Sequence, residues 1–355
     1  MNSEPRRKMR FLCLGMGAIG TYVGGSLALS GQDVVFLDRP EVAPAVKANG
    51  LQIQSVKGVG EVRSPDIVTS IAEAGESAPY QYAILAVKSF DTPALLKSLV
   101  PAVDWMPPIL CLQNGVENEA LVAEVFGAGR IVAGSVTTAI GRKGAGQIVV
   151  ERLRGIGVAG YQSFIGDLIE VMNAAGLKAR RCPDATSMKW SKMLTNLLAN
   201  ASSAILDLPP SAIFAHPGLY RMEIGMLREA LAVMEARHIP VCDLPGTPVR
   251  LLVTIARRLS PGISRPLLAN SLGRGRGAKM PSFHLDLYNG RGQSEVDYLN
   301  GAVVRSGLEI GVPTPLNRWL NETLIGMTNG TISKDEFRRN PQKFLSAMAR
   351  VTSGG

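Results

Sequence analysis

A chain of 355 residues with 46% hydrophobic side chains is longer than one hydrophobic core usually grows, which predicts two domains sharing a cleft. Its apolar runs break well before the roughly 18 residues of a membrane span, and the basic start MNSEPRRKMR leads into a glycine turn instead of an export signal, so a cytoplasmic protein with no membrane partner is expected. The net charge of +9 favours anionic ligands without choosing among phosphorylated cofactors, carboxylates and nucleic acid; three histidines and four scattered cysteines (Cys13, Cys111, Cys182 and Cys242) form no metal-ligand cluster and suit a reducing compartment.

Residues 10–14, RFLCL, run into the glycines of GMGAIG, and the amphipathic TYVGGSLALSG follows: strand, tight turn, helix. Gly15, Gly17 and Gly20 make the pattern GxGxxG, in which the first glycine permits the turn and the second lets a pyrophosphate approach the backbone. Ala18 and Ile19 open the helix, whose N-terminal amides face the phosphates. Alone the hexad is an ordinary turn; the strand before it, the helix after it and the strand QDVVFLD beyond make it a dinucleotide fingerprint. Asp38 ends that second strand, where a carboxylate can accept both ribose hydroxyls of NAD, while the adjacent Arg39 can pair with the 2′-phosphate of NADP. The reading leans to NADP and keeps NAD open because of Asp38.

YAILAVK, PPILCLQN and RIVAGSVTTA are further compact apolar runs separated by helical segments, the pattern of a parallel sheet covered on both faces. Lys88 and Asn114 then fall at carboxyl ends of strands, where ligands of open α/β sheets collect, although a solvated lysine and a turn asparagine explain them equally well. GLQIQSVKGVG with EVRS, and later GAGQIVVERLRGIGVAG, read as hairpins added antiparallel to the sheet.

After RRCPDAT strand signals give way to helical periodicity. That places a Rossmann-type, doubly wound α/β dinucleotide domain over 9–183 and an all-helical substrate domain over 184–345. In KWSKMLTNLLANASS, Lys192, Asn196 and Asn200 are spaced by four and rise along one side of a single predicted helix. An exposed polar edge on a core helix gives the same pattern, but the chemistry suits catalysis: hydride addition to a ketone leaves negative charge on oxygen, which an ammonium neutralises and protonates while amides orient the substrate. Ser294 with Asp297 three residues on reads as a capping box, with Glu295 in the first turn kept ionised by the helix dipole; most such carboxylates only stabilise their helix. Residues 257–279, with GRGRGAK, read as a basic loop, and the segment after Ser333 as a polar, frayed tail.

Taken in order over residues 10–330, GMGAIG, AVKSF, LQNGVE, KWSKMLTNLLAN and SEVDYLNG resemble the ketopantoate reductases. The resemblance implies NADPH-dependent reduction of 2-dehydropantoate, a 2-keto acid, to (R)-pantoate on the way to pantothenate. It further implies that Lys192 is the general acid and that Glu295 holds a substrate hydroxyl. Asn196, Asn200 and Ser282 would contact substrate, Asn114 would sit by the nicotinamide with a share in substrate binding, and Arg39 with Lys88 would bind the 2′-phosphate. Two departures stand out: Asp38 is not the neutral residue of strongly NADP-selective members, and YNGRGQSE carries one residue more before Glu295 than the shorter family spacing.

A 3-hydroxyacid dehydrogenase shares the Rossmann turn and a KxxxN pair such as Lys192 with Asn196, but lacks SEVDYLNG. A rival of another class, a non-catalytic dinucleotide sensor or nucleic-acid binder, is prompted by the charge of +9 and by GRGRGAK; with only 5% aromatic residues the chain lacks the stacking side chains of a single-strand binder, so no nucleic-acid partner is expected and a homodimer is allowed.

Overall fold

The computed structural model describes residues 8–266, 279–290 and 292–352. Its strands are β1 (Arg10–Leu14), β2 (Asp33–Leu37), β3 (Leu51–Ser55), β4 (Gly58–Val62), β5 (Asp66–Val68), β6 (Tyr82–Leu85), β7 (Ile109–Cys111), β8 (Ile131–Val136), β9 (Ala139–Gly144), β10 (Gln147–Arg152), β11 (Ile156–Ala159) and β12 (Ala179–Arg181). Contacts divide the chain into two compact units, the first running to Lys189 and taking in Leu244–Thr247, the second holding the rest from Trp190 onward.

The first unit is a Rossmann-type α/β layer structure. Residues of β1 alternate between two cores, Phe11 and Cys13 on one face and Leu12 and Leu14 on the other, which is why RFLCL reads as an unbroken apolar run. Among the described residues the main sheet has the order β12-β11-β8-β7-β6-β1-β2-β5. β1 lies parallel to both β2 and β6. The chain thus winds outward from β1 through β2 to β5, returns to β6, and continues outward through β7 to β8. That reversal between β1 and β6 is the place where open α/β sheets bind ligands. Beyond β8 the edge changes character, since β11 runs antiparallel to it and β12 parallel to β11.

Of the segments expected as antiparallel decorations of this sheet, GIGVAG joins it as expected, as β11 beside β8, while the others pair as hairpins elsewhere. β3, β4, β9 and β10 form a separate four-stranded sheet of order β4-β3-β10-β9, in which β3 and β10 pair in parallel although nearly a hundred residues apart in sequence. Helix α1 (Ala18–Leu29) lies against both sheets. Glycines make that possible, because a Cβ on Gly24 would stand 2.6 Å from the Phe36 ring and one on Gly25 2.9 Å from Ile53. The remaining helices of this unit are α2 (Ala43–Asn49), α3 (Ile71–Glu76), α4 (Thr92–Leu99), α5 (Asn118–Phe126) and α6 (Gln162–Ala174).

The second unit is all-helical among the described residues. α7 (Ala185–Leu197) leads into it, followed by α8 (Ala201–Leu206), α9 (Pro210–Ala215), α10 (Pro217–Ala236), α11 (Val249–Arg258) and helices over Ser282–Tyr288, Ala302–Ile310, Pro315–Asn329 and Pro341–Thr352. Two expectations change. The region read as a loop from residue 257 is helical to Arg258 and again over 261–266, while its GRGRG portion at 267–278 lies outside the described residues, as do 1–7. The tail read as frayed is folded: Phe344 is fully buried and meets Trp319 edge-on at 4.7 Å, with Phe337 completing the cluster.

Among the described residues no helix is long and apolar enough to cross a membrane, and no group of three or more His, Cys, Asp or Glu side chains is placed to hold a metal ion.

Candidate active site

The glycine turn after β1 is shaped from within. Gly15 has φ +100, a conformation that side chains resist, and its amide donates to the Leu37 carbonyl of β2. A Cβ on Gly20 would lie 1.8 Å from the Gly15 carbonyl oxygen, so only glycine closes the turn onto the helix. Gly17 differs: a Cβ there meets nothing nearer than the Ala86 carbonyl oxygen at 3.9 Å, so the protein's own packing leaves space at that point. Gly17 precedes α1 without a side-chain cap, and the first turn carries no acidic residue, so the amides of Ala18, Ile19 and Gly20 remain as donors for an anion. A space that a Cβ would fill, next to an uncapped helix start, fits the pyrophosphate of a dinucleotide.

Asp38 follows β2 and bonds to the turn itself. One carboxylate oxygen accepts from the Met16 amide within the glycine loop, and the other accepts from the Arg39 amide at 2.8 Å. Arg39 is exposed beside it. Beneath the loop the Cys13 thiol is pushed up out of the range where it ionises, chiefly by burial and also by the Asp38 charge, which leaves it inert.

Lys88 stands three residues past β6 and Asn114 three past β7, both half-buried. Their loops are sewn together by a polar network that the sequence does not announce. The Asn114 carbonyl accepts from Ser89 Oγ at 2.9 Å and from Asn118 Nδ2 at 2.7 Å, and Thr92 Oγ1 lies between Gln113 Nε2 and Asn118 Oδ1. Lys189, 5% exposed, anchors the network from α7: its ammonium is 2.7 Å from Glu119 Oε1 and donates to the carbonyls of Gln113 at 2.7 Å and Gly134 at 3.3 Å. A lysine in KWSK, three residues before Lys192, was the available sign, but its acidic partner lies seventy residues earlier in the sequence.

In the second unit Lys192 and Asn196 are both half-buried and adjacent on α7, with Lys192 Nζ donating to Asn196 Oδ1 at 3.0 Å. Asn200 is not the next rung of that stripe. α7 ends at Leu197, Ala199 takes φ +51, and Asn200 stands at the start of α8. The break is held by Glu223, a buried carboxylate on α10 that accepts from the Ala199 amide at 2.8 Å and from Ser202 Oγ. An acid in the largely apolar stretch MEIGML was its only sign. Freed from α7, Asn200 accepts at Oδ1 from the Phe283 amide at 3.2 Å and so ties itself to the helix that begins at Ser282. That helix is held in turn at its next residue, where His284 Nε2 lies 2.9 Å from Asp207, a carboxylate that Arg338 also contacts at 3.1 Å.

Glu295 is 2% exposed and sits just ahead of a π-helical turn, Asp297–Gly301, instead of inside a regular α-helix. Ser294 caps as expected, its Oγ accepting from the Val296 amide at 3.2 Å. Asp297 does not complete the box: its Oδ1 accepts from Arg305 at 3.0 Å and Asn321 at 3.2 Å, which takes it away from the helix start. Wide turns of this kind recur at functional sites.

With this geometry in hand, the comparisons with known proteins decide the family. The model described as "Ketopantoate reductase PanE/ApbA" matches residues 11–161, and the one described as "Ketopantoate reductase PanE/ApbA C terminal" matches 184–328. The chain belongs to the ketopantoate reductase family. Its similarity to the 2-dehydropantoate 2-reductase of Pyrococcus horikoshii is 28% identity over 316 residues, covering 87% of this chain and 94% of that protein. The fold is shared with a PanE/ApbA family ketopantoate reductase from Ralstonia eutropha JMP134, at TM-score 0.76 and 24% identity over 91% of this chain and 99% of that one. It is shared equally with a D-mandelate dehydrogenase solved with NADH and anilino(oxo)acetate, at TM-score 0.75 and 22% identity over the same 91% and 99%. In this ketopantoate reductase family member each unit thus holds its own groups: the first a glycine loop with Asp38 and Arg39 and the joined loops of Lys88 and Asn114, the second the Lys192–Asn196 pair and Asn200 tied to the helix from Ser282.

Proposed function

We propose that this protein reduces 2-dehydropantoate to (R)-pantoate with NADPH, as a step of pantothenate biosynthesis. The observation that carries the reading is the half-buried ammonium of Lys192 held 3.0 Å from Asn196 on the helix that the family model covers. When bound, the nicotinamide supplies the hydride. Lys192 delivers a proton from Nζ to the substrate's carbonyl oxygen, and Asn196 orients that ammonium. Glu295 receives a substrate hydroxyl, Asn200 and Ser282 contact the rest of the substrate, and Asn114 serves the nicotinamide end. Proton delivery of this kind is worth about 3–5 kcal/mol of barrier.

NADPH is favoured over NADH by the bonding of Asp38. Both of its oxygens already serve backbone amides of the loop, so it acts first as a brace for the glycine turn, and the exposed Arg39 is left to meet a 2′-phosphate with Lys88. A second reading, an NADH-dependent reductase of another 2-keto acid, draws support from the shared fold with a D-mandelate dehydrogenase solved with NADH.

The test is loss of reduced-nicotinamide absorbance with each cofactor and 2-dehydropantoate, with Lys192→Ala in parallel. Turnover with NADPH that falls about a hundredfold or more in the variant supports the proposal. Turnover only with NADH, or only with other 2-keto acids, transfers it to the second reading.

A further inference from the structure

Away from the glycine turn, at the opposite edge of the main sheet, the first unit contains an open cavity of about 620 Å³ walled by cations. Arg152 comes from the end of β10, Arg154 from the connection to β11, Lys178 from the residue before β12 and Arg180 from β12 itself. Asn173 at the end of α6 adds an amide, and no carboxylate is found among the described residues that line the cavity. The volume lies within the range of pockets that hold a small molecule, about 300–1,000 Å³.

Arg152, Lys178 and Arg180 are exposed and Arg154 is half-buried, so lining one cavity with them costs mutual repulsion and, at Arg154, part of its hydration. The strain registers at Arg154, whose guanidinium is pulled below its usual value by burial first and by the Arg152 charge second. Arg154 is fixed by donating from Nη1 to the Thr137 carbonyl at 3.0 Å. Lys178 has φ +51, a left-handed backbone that glycine or asparagine adopts more readily, so the chain keeps a cation at the rim where the local backbone disfavours one. Gly155 lets the wall close: a Cβ there would stand 2.5 Å from the Lys178 carbonyl oxygen. A receptor for a multiply charged anion accounts for these features together.

This cavity is not the dinucleotide site. β12 and β1 are separated by five strand spacings in the sheet order, about 24 Å at roughly 4.8 Å each, so phosphates lying over Gly17 do not reach it. Neither is it built for a nucleic-acid strand, since its described lining contains no aromatic side chain on which a base could stack.

We propose that the Arg152–Arg154–Lys178–Arg180 cavity is a second binding site, for the di- or triphosphate group of a small molecule. The guanidinium groups suit paired hydrogen bonds to phosphate oxygens, and Lys178 adds a point charge. The inference is independent of which keto acid the enzyme reduces.

The experiment is calorimetric titration of the full chain with tripolyphosphate at physiological ionic strength, in the presence of excess NADPH and, separately, excess NADH. The expected result is saturable one-to-one binding that weakens about ten- to a hundredfold in Lys178→Gln/Arg180→Gln, whose side chains are exposed, and persists in Arg39→Gln. An unchanged melting temperature of the double variant keeps misfolding out of the comparison. Absence of binding, or binding indifferent to the double substitution, overturns the proposal. So does binding that excess dinucleotide displaces and Arg39→Gln weakens, which assigns the phosphate to the cofactor site. A short single-stranded oligonucleotide that binds the same residues more tightly than tripolyphosphate also overturns it, in favour of a nucleic-acid surface.

Discussion

Replacing Lys189 by methionine keeps the apolar length of the side chain and removes only the ammonium, which isolates the worth of the cation beneath the Asn114 loop. Glu119, 18% exposed, then loses its partner at 2.7 Å, and the Gln113 and Gly134 carbonyls lose their donor. Breaking a buried pair from one side costs about 3–5 kcal/mol, and the partial exposure of Glu119 allows some rehydration, so about 3 kcal/mol is expected. For a unit of this size that lowers the melting temperature by roughly 6–12 °C. Scanning calorimetry reads it directly, with Lys189→Met/Glu119→Gln as the control that removes both charges. The double variant is expected to recover most of the loss, because what destabilises the single variant is the carboxylate left behind. A single variant within about 0.5 kcal/mol of the parent, or a double variant no better than the single, would refute the reasoning.

The glycine loop separates two kinds of glycine: Gly17→Ala, with free space around it, should cost about 1 kcal/mol or less in stability yet markedly weaken dinucleotide binding, whereas Gly20→Ala should fail to yield a folded first unit, as thermal melts and cofactor titration would show. Arg39→Gln should raise KM for NADPH and leave that for NADH nearly unchanged; equal effects on both would deny it the 2′-phosphate. Asp207 is raised by burial but lowered more strongly by hydrogen bonds from His284 and Arg338, so its carboxyl titrates below the usual range. A depressed folded-state pKa contributes stability above the unfolded value of about 3.9, which is lost as pH falls through the folded value. The urea midpoint of Asp207→Asn should therefore lie below the parent's at pH 7, with the gap narrowing as pH falls below the unfolded value of about 3.9; a gap that stays constant on acidification would exclude this linkage.

Features with local causes were legible in the sequence. RFLCL is β1 residue for residue, the hexad is the turn into α1, and the apolar runs containing YAIL and ILC carry β6 and β7, because strand burial and glycine turns leave their pattern in adjacent positions. Lys192 with Asn196 was visible for the same reason. What could not be read depends on distant partners. The parallel pairing of β3 with β10 needs Ile148 to meet Ile53, whereas each segment alone reads as a hairpin complete in itself. The interruption of α7 before Asn200 needs Glu223, since LTNLLANASS has uninterrupted helical periodicity. The closing helix Pro341–Thr352 hides because its apolar side faces a cluster seeded by Trp319 on another helix.

The double duty of Asp38 constrains how this protein can be redesigned. In many dinucleotide enzymes the acid after the second strand is a freely exchangeable selectivity handle; here one of its oxygens also ties down the Met16 amide inside the phosphate loop. Exchanging it for a neutral residue to sharpen NADP preference would loosen the loop that receives every dinucleotide, whatever its ribose carries. On the proposed reading, cofactor engineering in this chain would have an independent lever at Arg39 and a coupled one at Asp38, and a path towards stricter NADP use would have to replace the Met16 contact before releasing the acid.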